Sequence, residues 1–391
     1  MKVLVLHRYF WPQAYPYAQM LKYIAETLST NHSVSVLTTD SGSANEDELR
    51  IEWSKKQDIN IDTLSLSSEK KANILKKIIN SLYFGVWLIY KLLVSKADVI
   101  MVATTPPIII AMIVRWITSL KGTKYVYHCQ DIHPEAMLLG GNIQKGLLYK
   151  ALYNIDKKNI NSAWKVITLS GDMKKTLDER GCKTSHVNII NNFIFESSDK
   201  PPATTDKKID KIQFLFAGSL GRLQNLSLLM NSLILLKNRN DIQFTFMGDG
   251  IMYEEMLLCK KEHNLKNVEF LGQQSLDDAV KAIRRADIGI VSIGNNITRV
   301  AYPSKTMMYL GNGLPIMALV DKNTELYDFV NKKNIGLAFS PTSAQTIAAS
   351  IEELVDTLRK SPIDRQYVTK TAHLFFGKTP ILNKFSAVFY E

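Results

Sequence analysis

Arg222 and Lys305 are the side chains whose setting points most directly to chemistry. In "FAGSLGRLQN", residues 216–225, an apolar strand runs into Gly218 and Gly221, and a helix begins beside Arg222. Small residues let backbone N–H groups approach an anion, and a guanidinium can grip phosphate through two parallel hydrogen bonds. In "AYPSKTMMYLGNGLPIMAL", residues 301–319, Pro303 and Ser304 lead into a short helix that Gly313 and Pro315 close, with Ser304 as its expected N-cap. Lys305 opens that helix, where a cation opposes the positive end of the helix dipole, so a bound anion offsets the conflict. If the two turns converge on one diphosphate, they supply charge-assisted hydrogen bonds of about 1.5–3 kcal/mol each. Taken singly, each is also an ordinary turn with a solvated cation. The Gly-Lys-Ser/Thr ending of a P-loop is absent. So is a GxGxxG followed by an acid about twenty residues on, which argues against a nicotinamide dehydrogenase.

A second group is "YHCQDIHPE", residues 127–135, which packs His128, Asp131, His133 and Glu135 into one stretch after a strand. Acid–base work or orientation of an acceptor is the chemical reading; a merely polar cleft lip is the structural one. The spacing matches no usual metal-ligand pattern. The third is "KKANILKKIINSLYFGVWLIYKLLVSK", residues 70–96, with six lysines, no acid and a long apolar face. Core burial with a solvated lysine stripe is the common explanation, and an anionic membrane surface is the alternative. Arg115, Trp116, Lys121 and Lys124 add to that surface if they share a face. Its apolar centre, residues 78–94, is short and interrupted by Asn80, Ser81 and Lys91, so it reads as a helix and not a span.

Strands and helices alternate along the chain in βα units. "KVLVLH", "SVSVLTT", "ADVIMVAT", "KYVYHCQD" and "AWKVITLS" are strands, and "IIIAMIVRWITSLKG" is a crossover helix ended by Gly122. After "ESSDKPPATTDKK", residues 196–208, the series restarts with "IQFLFAGSLG", a helix from about Leu223 to Lys237, then "IQFTFMGDG", "NVEFLG", "DIGIVSI" and "PIMALV". This order predicts two α/β lobes with doubly wound parallel sheets, with ligands at the carboxyl ends of their strands in a cleft between them. The expected boundaries are 1–195, a linker at 196–208, a second lobe at 209–365, and a C-terminal segment at 366–391.

A length of 391 residues suits two domains. The net charge of +11 favours an anionic partner without naming it. Nucleic acid ranks below a membrane, because no recognition helix, RNP-like strand or zinc module accompanies the basic residues. Cys129, Cys182 and Cys259 show no CxxC and read as free thiols of a reducing compartment. "MKVLVLHRYF" opens directly on a strand, without the pattern of a signal peptide.

Together these stretches resemble the retaining GT-B glycosyltransferases of family four. "HRYFWPQAYPYAQMLKYIAETL", "QDIHPE", "NIINNF", "FAGSLGRLQNLSLLMNSL", "FTFMGDG", "NVEFLGQQS", "RADIGIVSI" and "PSKTMMYLGNGLPIM" carry the resemblance in order. The Pro-Ser-Lys variant looks most like the subgroup that builds bacterial O-antigen, capsule and colanic acid, L-fucosamine (FucNAc) transferases included. The resemblance implies two Rossmann-like lobes and a UDP-sugar donor, such as UDP-L-FucNAc or UDP-GlcNAc, held by the second lobe. It implies a polyprenyl-diphosphate-linked saccharide as acceptor, at the inner face of the plasma membrane. Anomeric configuration is then retained, with neither metal nor cofactor.

Arg222 falls on the family's diphosphate-binding arginine. Gln224 and Asn225 stand where a lysine is usual, leaving that charge to Lys305. Gly248, Asp249, Gly250, Gly272 and Gln273 fall around base and ribose, and Pro303, Ser304 and Thr306 complete the donor set. His128, Asp131 and Glu135 face the acceptor, and the C-terminal stretch crosses back to the first lobe. Val300 and Met308 replace two glutamates of many relatives. The second of those normally binds ribose, and its loss costs about 1.5–3 kcal/mol of donor affinity unless another group substitutes. "PQAYPYAQ" lacks the usual glycines, so Tyr15, Pro16 and Tyr17 are expected to narrow the approach to the donor phosphate. A UDP-sugar epimerase of the same architecture and a catalytically degenerate partner subunit are the alternatives.

Overall fold

The computed structural model describes residues 1–13, 15–66, 74–195 and 211–390. The expected linker at 196–208, together with Lys70 and Lys71, lies outside them. Two compact units form, Met1–Asn191 with Thr379–Glu391, and Asn192–Lys378.

The first unit holds seven parallel strands: β1 (Lys2–Leu6), β2 (Ser33–Thr39), β3 (Asn60–Leu64), β4 (Val99–Ala103), β5 (Lys124–Cys129), β6 (Lys165–Thr168) and β7 (Val187–Ile189). They lie in the order β3-β2-β1-β4-β5-β6-β7. The second holds β8 (Ile212–Ala217), β9 (Ile242–Met247), β10 (Val268–Gly272), β11 (Ile288–Ser292), β12 (Ile316–Leu319) and β13 (Gly336–Phe339), in the order β10-β9-β8-β11-β12-β13. Helices cover both faces of such sheets, so their strands are apolar nearly throughout, and β4, β11 and β12 are buried at every residue. In each sheet the order reverses beside the first strand of the unit. Loops after β1 and β4, and after β8 and β11, therefore flank the crevice at the carboxyl ends where ligands of such sheets bind.

The helix Ile109–Lys121 ends at Gly122, whose φ of 66° is left-handed as expected of a helix-terminating glycine. Three shorter strands, β3, β7 and β13, were not legible as apolar runs. The continuous helix expected from Leu223 is instead a 3₁₀ turn, Arg222–Gln224, then Asn225 at φ 50°, then the helix Leu226–Leu235. At the C-terminus, Arg365–Phe376 packs within the second unit through Val368, Ala372 and Phe376. The return to the first unit begins only at Thr379, so the crossing segment is shorter than the expected 366–391.

Candidate active site

The second unit's site is a stack of backbone turns beyond the ends of β8, β9 and β10. The Gly218 N–H donates to the Met247 carbonyl at 2.8 Å, the Leu220 N–H to the Asp249 carbonyl at 2.9 Å, and the Gly248 N–H to the Gly272 carbonyl at 2.8 Å. Only glycine permits this approach. A Cβ on Gly248 (φ 141°) falls 2.0 Å from the Gly218 oxygen, and one on Gly250 (φ 157°) falls 2.4 Å from the Leu220 oxygen. Hydrogen bonds from Ser292 Oγ to the Gln224 carbonyl (2.6 Å) and from the Gly294 N–H to the Leu223 carbonyl (2.7 Å) tie the Arg222–Gln224 turn to the end of β11.

Lys305 enters this stack from the helix Lys305–Gly311. Tyr309 locks that helix to β8: its hydroxyl accepts from the Ala217 N–H at 2.6 Å and donates to the Ala217 carbonyl at 3.3 Å. The Lys305 stem is partly exposed, yet its ammonium is buried 3.3 Å from the centre of the Phe216 ring, without a hydrogen-bond partner among the described residues. Its Nζ lies 3.6 Å from the point where a Cβ on Gly218 would sit. Burial pulls its pKa down from 10.5 to about 7. Gln224 Oε1, Thr298 Oγ1 and Thr306 Oγ1 are likewise buried without partners among the described residues. A cation and polar atoms buried without partners are costly unless a ligand completes them.

The structure thus brings Gly218, Gly248, Asp249, Gly250, Gly272 and Lys305 into one construction. Gly221 and Gln224 adjoin it, because a Cβ on Gly221 falls 2.8 Å from Gln224 Oε1. Arg222 is exposed on the 3₁₀ turn with no ion pair among the described residues, and Gln273, Ser304 and Asp249 are exposed. Pro303 is partly buried. Ser304 is not the capping residue expected. It is already helical at φ −59° and ψ −27°, and its side chain accepts no cap hydrogen bond. A capping side chain must instead start from extended backbone to reach forward N–H groups. The Pro303 carbonyl takes the Thr306 N–H in its place. Val300 is buried and Met308 packs on the core.

In the first unit, His7 after β1 and His128 in β5 bracket Tyr17. The Tyr17 hydroxyl lies 2.8 Å from His128 Nδ1, and its ring meets both imidazoles edge-on, at 4.9 and 5.3 Å. Tyr17 therefore turns into the fold toward His128, whereas the sequence suggested a constriction at the donor phosphate. Phe385 of the C-terminal helix Lys378–Val388 covers the other side of His128 at 5.1 Å. Burial holds His128 down to about 3 and His7 to about 4, so both rings are neutral at physiological pH. His7 Nε2 is buried without a partner among the described residues. Its single polar position after an apolar strand was the available signal, and sequence reasoning passed over it. Burial alone lifts the Asp131 carboxyl to about 6.

Glu135 is engaged elsewhere. Arg180 Nε donates to Glu135 Oε1 at 2.6 Å and Nη1 to Asp156 Oδ2 at 2.8 Å, with Tyr127 donating to Asp156 at 3.0 Å. Removing the cation strands the buried Asp156 carboxylate and unpairs the partly buried Glu135, so Arg180→Ala is expected to cost about 3–5 kcal/mol in urea unfolding. Glu135→Gln is expected to lower stability and leave turnover of the folded protein intact. Lost turnover at unchanged stability contradicts that structural role. Among the described residues, no three His, Cys, Asp or Glu side chains form a metal-ligating group.

Two doubly wound parallel lobes, with glycine turns and a buried lysine, unpaired among the described residues, at strand ends of the second, have the GT-B architecture. Residues 18–196 match Glycosyltransferase Family 4, and residues 211–357 match Glycosyl transferases group 1. The chain belongs to the group 1/family 4 glycosyltransferases and is a nucleotide-sugar-dependent enzyme. It is 22% identical over 269 residues to the probable glycosyltransferase WbjE of Pseudomonas aeruginosa, covering 67% of each chain. It is 22% identical over 318 residues to the putative colanic acid biosynthesis glycosyl transferase WcaI of Escherichia coli (strain K12), covering 77% of this chain and 78% of that one. In fold it matches Anabaena Alr3699/HepE, solved in complex with UDP, with a TM-score of 0.71 at 14% identity over the whole of both chains. It also matches WaaG, a glycosyltransferase involved in lipopolysaccharide biosynthesis, with a TM-score of 0.67 at 13% identity over 99% of each chain.

Proposed function

We propose that the protein moves a sugar from a UDP-linked donor to a polyprenyl-diphosphate-bound saccharide in bacterial O-antigen or capsule assembly. The anomeric configuration is retained and no metal takes part. The observation that carries the donor half is the buried Lys305 ammonium beside Gly218, without a partner among the described residues, where a diphosphate supplies the missing counter-charge. UDP in the HepE structure and the colanic acid role in WcaI's name support nucleotide and pathway class. An N-acetylamino sugar such as L-FucNAc or GlcNAc is the donor sugar in this reading.

As the anomeric C–O bond to the β-phosphate breaks, negative charge grows on the leaving diphosphate. Lys305 and Arg222 stabilise it there. The acceptor oxygen forms the new C–O bond as its proton passes to the ionised Asp131 carboxylate. His128 and Tyr17 hold the wall beside it. A carboxyl with pKa about 6 must be deprotonated to accept, so kcat/KM should fall below about pH 6 and stay level above it. Asp131→Asn should remove that acid limb; a limb unchanged in this variant removes Asp131 from the mechanism.

The protein acts in this reading from the cytoplasmic face of the membrane, as a peripheral enzyme. No helix among the described residues is long and apolar enough to cross a bilayer. Support comes from the helix Ile74–Val94, which buries Phe84, Leu88 and Leu92 but exposes Leu82, Tyr83, Val86, Tyr90 and Leu93 along one face. A thermal-shift screen of UDP-, GDP- and dTDP-sugars, followed by product analysis with and without a polyprenyl-diphosphate saccharide, tests the whole reading. Transfer only with acceptor supports it. Conversion of the donor without acceptor marks an epimerase, and no nucleotide response marks a degenerate subunit.

A further inference from the structure

At the amino-terminal edge of the first sheet, the last two turns of the helix Ile109–Lys121, the start of β5 and the last turn of the helix Leu147–Ser162 line an open cavity of about 410 Å³. Arg115, Lys124 and Lys158 line it with Trp116 and Trp164, and no acidic side chain among the described residues does. The Lys124 ammonium lies 4.4 Å from the centre of the Trp164 ring. The side chains of Arg115 and Lys158 make no ion pair or hydrogen bond among the described residues. Two helix carboxyl ends bring about −1 between them, so three cations leave the cavity at about +2. A concave site with that charge selects an anion.

Its surroundings say which anion. Trp116 is 60% and Leu120 77% exposed, on the face of the helix Ile109–Lys121 that borders the cavity. That helix packs against Ile74–Val94, whose bare apolar face is described above. Soluble anions have no use for apolar side chains at the rim; a phospholipid offers a phosphate and acyl chains side by side. We infer that this cavity holds the phosphate of an anionic phospholipid headgroup while Trp116 and Leu120 enter the acyl boundary, an inference that rests on the membrane-surface reading above. The residues of β5 rise about 3.3 Å each, so the four steps from Lys124 to His128 set this edge about 13 Å from the opposite end of the strand. The bound phosphate is therefore an anchor and not the acceptor's reacting diphosphate. Lys121 is not part of it. Its ammonium donates to the Leu92 and Leu93 carbonyls at 2.9 Å each, and also to that of Ser95, closing the neighbouring helix.

Vesicle flotation of the full chain tests the anchor, using phosphatidylglycerol/phosphatidylethanolamine vesicles against phosphatidylcholine alone. Each cation at an anionic surface contributes about a fivefold gain in binding, so Arg115→Gln/Lys158→Gln should lose about 30-fold on the anionic vesicles. The charge-matched pair Lys55→Gln/Lys56→Gln, exposed on the helix Ala44–Gln57, should lose less than about threefold. Equal losses in the two pairs overturn the cavity and leave the membrane reading standing. Wild type that floats with neither vesicle removes both. Inorganic phosphate bound without vesicles at sub-millimolar affinity, and released by the cavity pair, also overturns the proposal, because the ligand is then a soluble anion.

Discussion

Lys305→Met is expected to lower kcat/KM by about 10²–10³-fold while raising thermal stability. The first effect follows from losing one preorganised charge at the leaving diphosphate. The second follows from the ammonium's place in the free protein, buried over Phe216 with no partner among the described residues. Methionine keeps the length and apolar body of the side chain and removes the desolvated charge. The pH dependence separates this from a general packing effect. Lys305 titrates at about 7 in the native protein against 10.5 in the unfolded chain, so between those values the unfolded state holds the extra proton. Native stability must therefore climb as pH rises from about 7 toward 10, by at most about 1.4 kcal/mol per pH unit. Below 7 both states are charged and the full cost is present. In Lys305→Met that slope disappears. Denaturant unfolding at pH 7 and 9 gives the comparison directly, and a parallel slope in the variant contradicts the burial of the ammonium.

Gly248→Ala is the second large effect, on the construction that holds Lys305's neighbours. The added methyl falls 2.0 Å from the Gly218 oxygen at a φ of 141° that L side chains rarely adopt, so the turns after β8 and β9 must part. The hydrogen bonds of the Gly218 and Leu220 N–H groups go with them. The expected result is a loss of at least about 3 kcal/mol, with no thermal shift on adding UDP. Gly85→Ala is the matched control, because a Cβ there meets nothing within 4 Å and the position is helical. It should be neutral or stabilising by up to about 1 kcal/mol. Similar losses in both variants contradict the argument.

These two positions also show what the sequence could disclose. Gly218 and Gly248 were legible because each follows the end of an apolar strand, and Lys305 because a Pro-Ser turn opens its helix, signals that lie within a few residues. The long buried strands were legible for the same reason. β3, β7 and β13 were not, since five, three and four residues at or near sheet edges carry too little apolar pattern. Asn225 broke the expected helix by adopting a left-handed φ that asparagine tolerates and periodicity does not register. Contacts between distant residues escaped altogether. Arg180 reaches Glu135 across 45 positions, and Tyr17 reaches His128 across 111, so a carboxylate that read as reactive is held in a partly buried ion pair. Ser304 read as a cap by residue type, but capping depends on a backbone angle that residue type does not fix.

Calorimetric titration of UDP into the wild-type protein at about pH 8, in two buffers of different ionisation enthalpy, tests the central claim most directly. A lysine with a pKa near 7 is about nine-tenths neutral there, and a diphosphate beside it restores the charge. The prediction is uptake of close to one proton per UDP, abolished in Lys305→Met. The same heat of binding in both buffers for the wild-type protein would mean that the diphosphate does not meet Lys305.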